Sequence, residues 1–307
     1  MDAWKLLGEL ANRRDSSGRR RLAVVVGSGV NVQAGVRDSW LALLNRIARE
    51  ARIEEAAKQR LLDMLSRTGG SGMTSIWEAF LCELANPSEA PHQVEHRLQR
   101  DVAQLLRETH ERRAADLDFF QRFVELGFTD ILSLNFDRSL LIANGGDDVV
   151  GDDTLTRMGR AGRSRVWYPH GDTKRYRSIR LGVRSYGVYI KQLESAYRGY
   201  RQMRRATRNR GAAVGPRNWL EAAMLQPLLF VGCGLSTDEW PLWWTLHQRA
   251  RDQARRPIRH RSPCFVLCAG ALDHISPHLR SGPAGLHLLH APSHPESWQQ
   301  LTKTLGG

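Results

Sequence analysis

The chain has 307 residues, of which 41% are hydrophobic and 25% are charged. This composition is ordinary for a globular protein and excludes a disordered or fibrous chain, and the length suits one large α/β domain or two smaller ones. Lysine and arginine outnumber aspartate and glutamate by 45 to 32, and the net charge of +13 favours an anionic partner such as a nucleotide, nucleic acid or an acidic protein surface. No apolar run approaches the roughly 18 residues of a membrane span, and the N-terminus has no signal-peptide pattern, so we expect a cytoplasmic protein without membrane contact.

The first predicted element is a strand at residues 21–26, an apolar and β-branched run that is too short for a helix. The residues after it form a glycine-containing turn, namely Gly27, Ser28, Gly29, Val30 and Asn31. A turn of this kind offers backbone N–H groups to a phosphate, although a tight turn without a ligand is the alternative. The dehydrogenase fingerprint needs a third glycine where this chain has Val32, so an ordinary Rossmann dehydrogenase is disfavoured.

Helical periodicity alone continues through residues 50–126, which predicts a helical insertion after the first strand–helix unit of a single domain spanning residues 1–307. Strand patterns then return at residues 129–136, 165–168, 179–183, 227–231, 263–268 and 286–289. Helical patterns separate several of these strands. The alternation predicts a Rossmann-like α/β fold with a doubly wound, mostly parallel sheet, in which ligands bind beyond the C-terminal ends of the strands.

Two motifs place polar side chains at predicted strand ends. Asn135 and Asp137 lie at the C-terminal edge of the second predicted strand, where an amide and a carboxylate would face the ligand crevice or would build a turn. His170, beside Gly171, follows the next strand and is the best placed of the 11 histidines. His110, in contrast, lies in a charged helical segment, and we interpret it as structural.

A further motif follows the strand at residues 227–231. It contains Gly232, Gly234 and Ser236, and its glycines would admit a nucleotide from the other half of the sheet. Ser236 or Asp238 would also cap the following helix, and the two interpretations are compatible.

In this order the four motifs resemble those of the sirtuin-like (SIR2-like) superfamily, in which a GAGxS turn, an asparagine and aspartate, a histidine–glycine pair and a late glycine–serine loop line one NAD pocket. The resemblance extends from about residue 21 to about residue 290. It implies that Asn135 positions a water or a ribose hydroxyl and that His170 is the base or the ribose-hydroxyl partner. The NAD-binding residues that it implies are Gly27, Ser28, Gly29, Asn31, Asp137, Gly232, Gly234 and Ser236.

The cysteines separate two branches of this superfamily. Deacylase sirtuins carry a zinc ribbon with two CxxC pairs, whereas this chain has four scattered cysteines and none between His170 and Cys233. An arginine-rich segment at residues 198–217 lies there instead. The resemblance therefore implies an NAD glycohydrolase that takes NAD as its substrate and holds no metal, closest to the bacterial antiphage-defence proteins that deplete NAD.

Other functions remain open at this point. A zinc-independent NAD-dependent deacylase or an ADP-ribosyltransferase would share the pocket, a noncatalytic subunit would bind NAD or ADP-ribose, and a nucleic-acid-binding subunit would explain the positive charge. Only a short helix follows the last predicted strand, and free NAD hydrolysis would harm the host cell. We therefore expect activation by homo-oligomerisation or by a separate sensor or partner protein.

Overall fold

A computed structural model of the chain describes residues 2–14, 18–36, 40–51, 53–68, 72–86, 88–112, 118–146, 148–207, 215–235, 238–256, 261–269 and 286–306. The strands are β1 (Arg20–Val26), β2 (Phe128–Ser133), β3 (Val149–Val150), β4 (Met158–Ala161), β5 (Ser164–Trp167), β6 (Leu228–Val231), β7 (Cys264–Ala269) and β8 (Leu286–Ala291). The helices of the first half are α1 (Ala3–Ala11), α2 (Ser28–Gln33), α3 (Trp40–Glu50), α4 (Glu55–Thr68), α5 (Met73–Glu83), α6 (Pro91–Leu106), a π-helix (Arg107–Glu111) and α7 (Asp118–Glu125). Those of the second half are α8 (Ser139–Ile142), a 3-10 helix (Thr173–Ser178), α9 (Val183–Thr207), α10 (Trp219–Leu225), α11 (Trp240–Ala254) and α12 (His294–Gly306).

All eight strands belong to one sheet, in the order β3-β4-β5-β2-β1-β6-β7-β8. Six neighbouring strands of this order are parallel, namely β5, β2, β1, β6, β7 and β8. Strands β3 and β4 form an antiparallel extension at the edge beside β5. Numbered along the chain, the parallel strands lie in the Rossmann order 3-2-1-4-5-6, which reverses direction between β1 and β6. The predicted Rossmann-like, mostly parallel α/β fold is therefore confirmed.

Helices cover both faces of the sheet because successive side chains of a strand point to opposite sides. From β1, Leu22, Val24 and Val26 pack into a core formed with α1, α7 and α12. Ala23 and Val25 point the other way, into a core formed with α9, α10 and α11. Burial on both faces explains why β1 is an unbroken apolar run from its third residue onwards.

Helices α3 to α6 build a third hydrophobic core beside the sheet. This core also takes in Phe136, which follows β2, and Ile179, Leu181 and Tyr186, which follow β5 along the chain. The α3–α6 layer consequently packs against the loops at the C-terminal ends of these strands. Helix α7 packs against the sheet itself.

One predicted strand is wrong. Residues 179–183 connect the 3-10 helix to α9, and Gly182 has a φ of +102°, in the left-handed region that glycine adopts readily. Ile179 and Leu181 are apolar because they are buried in the core of the α3–α6 layer.

The predicted glycine turn is also shorter than expected, because α2 begins at Ser28 directly after Gly27. No helix within the described ranges combines the length and the apolarity needed to cross a membrane.

Candidate active site

The loops after β1 and β6 meet where the strand order reverses. In open α/β sheets this position forms the ligand crevice. The N–H of Gly27 donates to the carbonyl of Val231 and that of Gly29 donates to the carbonyl of Gly232, both at 3.0 Å. Two of the amides expected to bind a phosphate therefore already hold the neighbouring loop.

Replacing Gly29 by alanine is expected to lower the free energy of unfolding by about 2 kcal/mol, the cost of overpacking a closely packed contact. A Cβ atom at Gly29 would lie 2.7 Å from the Cα atom of Gly232, so the backbone of one of the two loops would have to shift. Gly234→Ala is the matched control, because a Cβ atom there meets nothing within 4 Å. Urea unfolding measures both variants, and equal stabilities would contradict the close contact of the two loops.

A cavity of about 330 Å³ lies at this crevice. Its walls include residues from both glycine loops and from the loop after β2, namely Gly27, Ser28, Asn135, Gly232, Gly234 and Glu239. The volume falls at the lower end of the range of about 300 to 1,000 Å³ that is typical of small-molecule sites. Ser28 is exposed. The crevice can therefore receive part of a ligand, with Ser28, Asn135 and Glu239 as polar groups on a wall that also carries apolar side chains such as Trp40 and Leu242.

Asn135 and Asp137 lie beyond the C-terminal end of β2, as predicted, and both are buried. The side-chain amide of Asn135 donates to the carbonyl of Gly27 at 3.1 Å. One carboxylate oxygen of Asp137 accepts from Nδ2 of Asn31 at 2.8 Å, and the other accepts from the N–H of Ser139 at 3.1 Å. Asp137 therefore ties α2 to α8, while Asn135 ties the β2 loop to the β1 loop.

A second and much smaller cavity, which we call the polar nook, adjoins the first. Its volume is about 10 Å³, room for one water molecule. Its polar lining consists of Ser28, Asn31, His110, Asn135 and Asp137. Because Ser28, Trp40 and Asn135 line both cavities, the polar nook is continuous with the wall of the larger one.

His170 lies behind the wall of the larger cavity rather than on it, with its side chain only 3% exposed. Its Nε2 atom is 2.9 Å from Oε2 of Glu239, a residue that does line the cavity. The contact lacks hydrogen-bond geometry, and within the described part of the chain neither ring nitrogen of His170 nor this carboxylate oxygen has a hydrogen-bond partner. A buried polar atom without a partner is costly, and beside a cavity a water or a ligand can supply the missing partner.

Aromatic rings surround this pair. The ring centroid of Tyr186 lies 5.6 Å from that of His170, and the ring centroid of Phe136 lies 6.3 Å from that of His170. Phe136 in turn contacts the ring of Trp40. Burial raises the pKa of Tyr186, and the neighbouring carboxylate of Glu239 raises it further. Tyr186 therefore remains an uncharged phenol beside the imidazole.

Cys233 also lines the larger cavity, but its chemistry is that of a buried thiol. Burial raises the pKa of Cys233, and the thiol donates to the carbonyl of Val25 at 3.4 Å. A protonated thiol is a poor nucleophile, so Cys233 is no candidate for covalent catalysis. Among the described residues, no group of three or more histidine, cysteine, aspartate or glutamate side chains is arranged to hold a metal ion.

The structure brings most of the candidate residues together at one edge of the sheet. Those lining one or both cavities are Gly27, Ser28, Asn31, Asn135, Asp137, Gly232 and Gly234. Gly29 packs against the opposite loop, and His170 reaches the larger cavity through Glu239. Ser236 lies outside the described residues.

Two site residues escaped the sequence analysis. His110 follows Leu106 by four positions and so continues the buried stripe of α6, a helical spacing that the sequence does contain. Glu239 stands between Asp238, a predicted cap, and a tryptophan-rich helix, and the sequence gives no signal that would have singled it out. Asp238 accepts from the N–H of Met73 at 3.0 Å and so joins this loop to α5.

The arginines of α9 lie away from the site. The guanidinium of Arg201 stacks 5.9 Å from the ring of Tyr197, and that of Arg204 stacks 5.9 Å from the ring of Tyr200. Within the described ranges no arginine lines either cavity, so these side chains are not phosphate ligands there. Residues 208–214, which continue the arginine-rich segment, lie outside the described residues.

Comparisons with known proteins place this chain in no family. No protein-family model matches it, and no curated protein matches it significantly.

Proposed function

We propose that the chain is an NAD glycohydrolase, which cleaves NAD with water to give nicotinamide and ADP-ribose. The observation that carries the proposal is the cavity at the sheet's reversal point, whose wall joins the two glycine loops to Asn135 and to the His170–Glu239 pair. Sheets with this strand order bind dinucleotides at that point. The order of the four motifs, which resembles that of sirtuin-like proteins, supports the same substrate.

Individual polar groups on the cavity wall can contact two parts of NAD. In the proposal, the pyrophosphate lies against the exposed hydroxyl of Ser28 and the backbone of Gly234, both on the cavity wall. The nicotinamide ribose lies against Asn135, whose amide is fixed by its bond to Gly27. Because the Nδ2 atom of Asn135 is held in this way, its Oδ1 atom can accept a hydrogen bond from a ribose hydroxyl or from a water.

The reaction breaks the bond between C1′ of the ribose and N1 of nicotinamide. The electron pair departs with nicotinamide, whose ring becomes uncharged, so the leaving group needs little protonation. Positive charge develops on the ribose in the transition state. The carboxylate of Glu239 on the cavity wall would stabilise this charge, and His170 behind it would hold the carboxylate in position.

This activity fits the NAD-depleting effector of a bacterial antiphage defence system, and we propose that role for the chain. An enzyme that hydrolysed NAD continuously would drain its own cell. We therefore propose that self-assembly or a partner protein switches the activity on, and the net charge of +13 favours an acidic partner surface or nucleic acid.

Incubating the purified chain with NAD and measuring free nicotinamide and ADP-ribose tests the proposal. The expected result is equal amounts of both products without any acceptor, at a rate per chain that rises with protein concentration if assembly activates the chain. Release of nicotinamide that requires an acylated peptide or a protein acceptor would instead identify a deacylase or an ADP-ribosyltransferase. Binding of NAD without release would identify a binding subunit.

A further inference from the structure

His110 lies in the one-turn π-helix that follows α6, and it is buried. It lines the polar nook together with Asn135 and Asp137. Single π-helical turns are rare and occur frequently at functional sites. A buried histidine beside a space of one water molecule suggests that the imidazole acts on that water.

Buried contacts hold the π-helix in place. The carboxylate of Glu111 accepts from the N–H of Arg138 and from its guanidinium, both at 3.0 Å, and this ion pair is buried. From the other end of the turn, the guanidinium of Arg107 donates to the carbonyl of Thr173 at 3.0 Å. His110 therefore lies on a backbone that is fixed on both sides, as positioning of a reacting group requires.

The neighbouring hydroxyl determines which nitrogen of His110 carries the proton. Thr109 donates its only hydroxyl proton to the carbonyl of Leu105, at 2.8 Å. With the hydroxyl proton directed to Leu105, the Thr109 oxygen accepts from Nδ1 of His110, 2.7 Å away, and this arrangement favours the tautomer protonated at Nδ1. In the neutral imidazole, Nε2 then carries the lone pair that can take a proton.

The other candidates for a base are held in structural contacts or lie outside the polar nook. Both carboxylate oxygens of Asp137 already accept hydrogen bonds, from Asn31 and from Ser139. His170 lines neither the polar nook nor the larger cavity, and its Nε2 atom faces Glu239. Among the described residues that line the polar nook, His110 is the one imidazole, and its Nε2 lone pair can accept a proton from a water there.

We propose that His110 is the general base of the hydrolysis, acting on a water held in the polar nook between its Nε2 atom and the carbonyl oxygen of Asn135. The inference rests on the proposed NAD cleavage. The water oxygen forms a bond to C1′ of the ribose as the bond from C1′ to N1 of nicotinamide breaks. The water proton moves to Nε2 of His110 and then to solvent, so NAD⁺ and water give ADP-ribose, nicotinamide and one proton.

His110→Ala is expected to lower the rate of ADP-ribose formation by about 10²- to 10⁴-fold, the range for loss of a general base. Added imidazole should restore part of the rate, because a diffusing base can enter the space that the side chain leaves. His110→Gln, which fills the site without supplying a base, should lose as much activity as His110→Ala and show no recovery. His92→Ala, at an exposed position on α6, is the matched control and should keep full activity.

Calorimetric titration with ADP-ribose separates catalysis from binding. The dissociation constant should stay within about twofold of wild type in both His110 variants, because the proposed role involves only the water. Normal hydrolysis in a folded His110 variant, or a loss that tracks weakened ADP-ribose binding without recovery in imidazole, would overturn this inference alone. A wild-type chain that binds ADP-ribose but releases no nicotinamide from NAD would overturn the proposed function, and this inference with it.

Discussion

Asn135→Ala is expected to lower nicotinamide release from NAD by about two to four orders of magnitude while the protein stays folded. Asn135 lies on the wall shared by the larger cavity and the polar nook, and its amide is held by the carbonyl of Gly27 at 3.1 Å. Its loss removes the group that, in the proposed mechanism, orients both the ribose and the attacking water. Steady-state kinetics should show the loss in kcat, because orientation matters most in the transition state.

Two further variants sharpen this test. Asn135→Asp keeps the side-chain volume but replaces the N–H donor with a carboxylate that faces the carbonyl of Gly27, so it should be as inactive as Asn135→Ala. Asn45→Ala is the matched control, because that amide donates to Leu41 within α3 and lies on neither cavity wall. Full activity in a folded Asn135→Ala chain would remove Asn135 from the mechanism.

The parallel part of the sheet was predictable because its strands are buried on both faces. Such strands read as short, continuous apolar runs, as in β1 and β6, which match the predicted segments to within one residue at each end. The edge strands β3 and β4 were not predicted. β3 has only two residues, and β4 (Met158–Ala161) contains a glycine and an exposed arginine, so neither shows an apolar run or an alternating pattern.

Apolar content alone misassigned residues 179–183. The sequence shows that Ile179 and Leu181 are apolar and alternate with polar neighbours, which is typical of a strand. It does not show that the α3–α6 layer lies over this segment and buries both side chains in its own core. Burial against a helical layer and burial within a sheet select the same residue types, so only the tertiary structure distinguishes them.

The candidate site was predictable to the extent that it lies at strand ends. Asn135 and Asp137 follow β2 directly, so the parallel topology alone brings them to the crevice. His110 reaches the site from the π-helix after α6, where its spacing from Leu106 marks it only as buried, and Glu239 reaches it from the loop after β6, where no local pattern marks it. The glycines have a structural role that the sequence did not show, since Gly27 and Gly29 allow the loops after β1 and β6 to touch and donate their N–H groups to the carbonyls of Val231 and Gly232.

The pairing of His170 with Glu239 predicts a non-additive double-mutant cycle. His170→Ala and Glu239→Ala are each expected to lower kcat/KM for nicotinamide release by about two to four orders of magnitude, the range that mutation of a catalytic or positioning group gives. The kcat/KM of the double variant should lie within about tenfold of that of the less active single variant. Residues that act as a unit lose their joint contribution once either of them is removed.

The physical reason lies in the geometry of the pair. Nε2 of His170 is 2.9 Å from Oε2 of Glu239. The imidazole is shielded from the cavity, whereas the carboxylate of Glu239 lines the cavity, so in the proposed mechanism His170 acts on the substrate through Glu239. Removing the imidazole takes away the neighbour that positions the carboxylate in this mechanism, and removing the carboxylate leaves the imidazole with nothing to position. His247→Ala, exposed on the helix that Glu239 precedes, is the matched control and should leave the rate unchanged. Losses that multiply in the double variant would show that the two residues contribute independently, and normal rates in both folded single variants would exclude the pair from the chemistry.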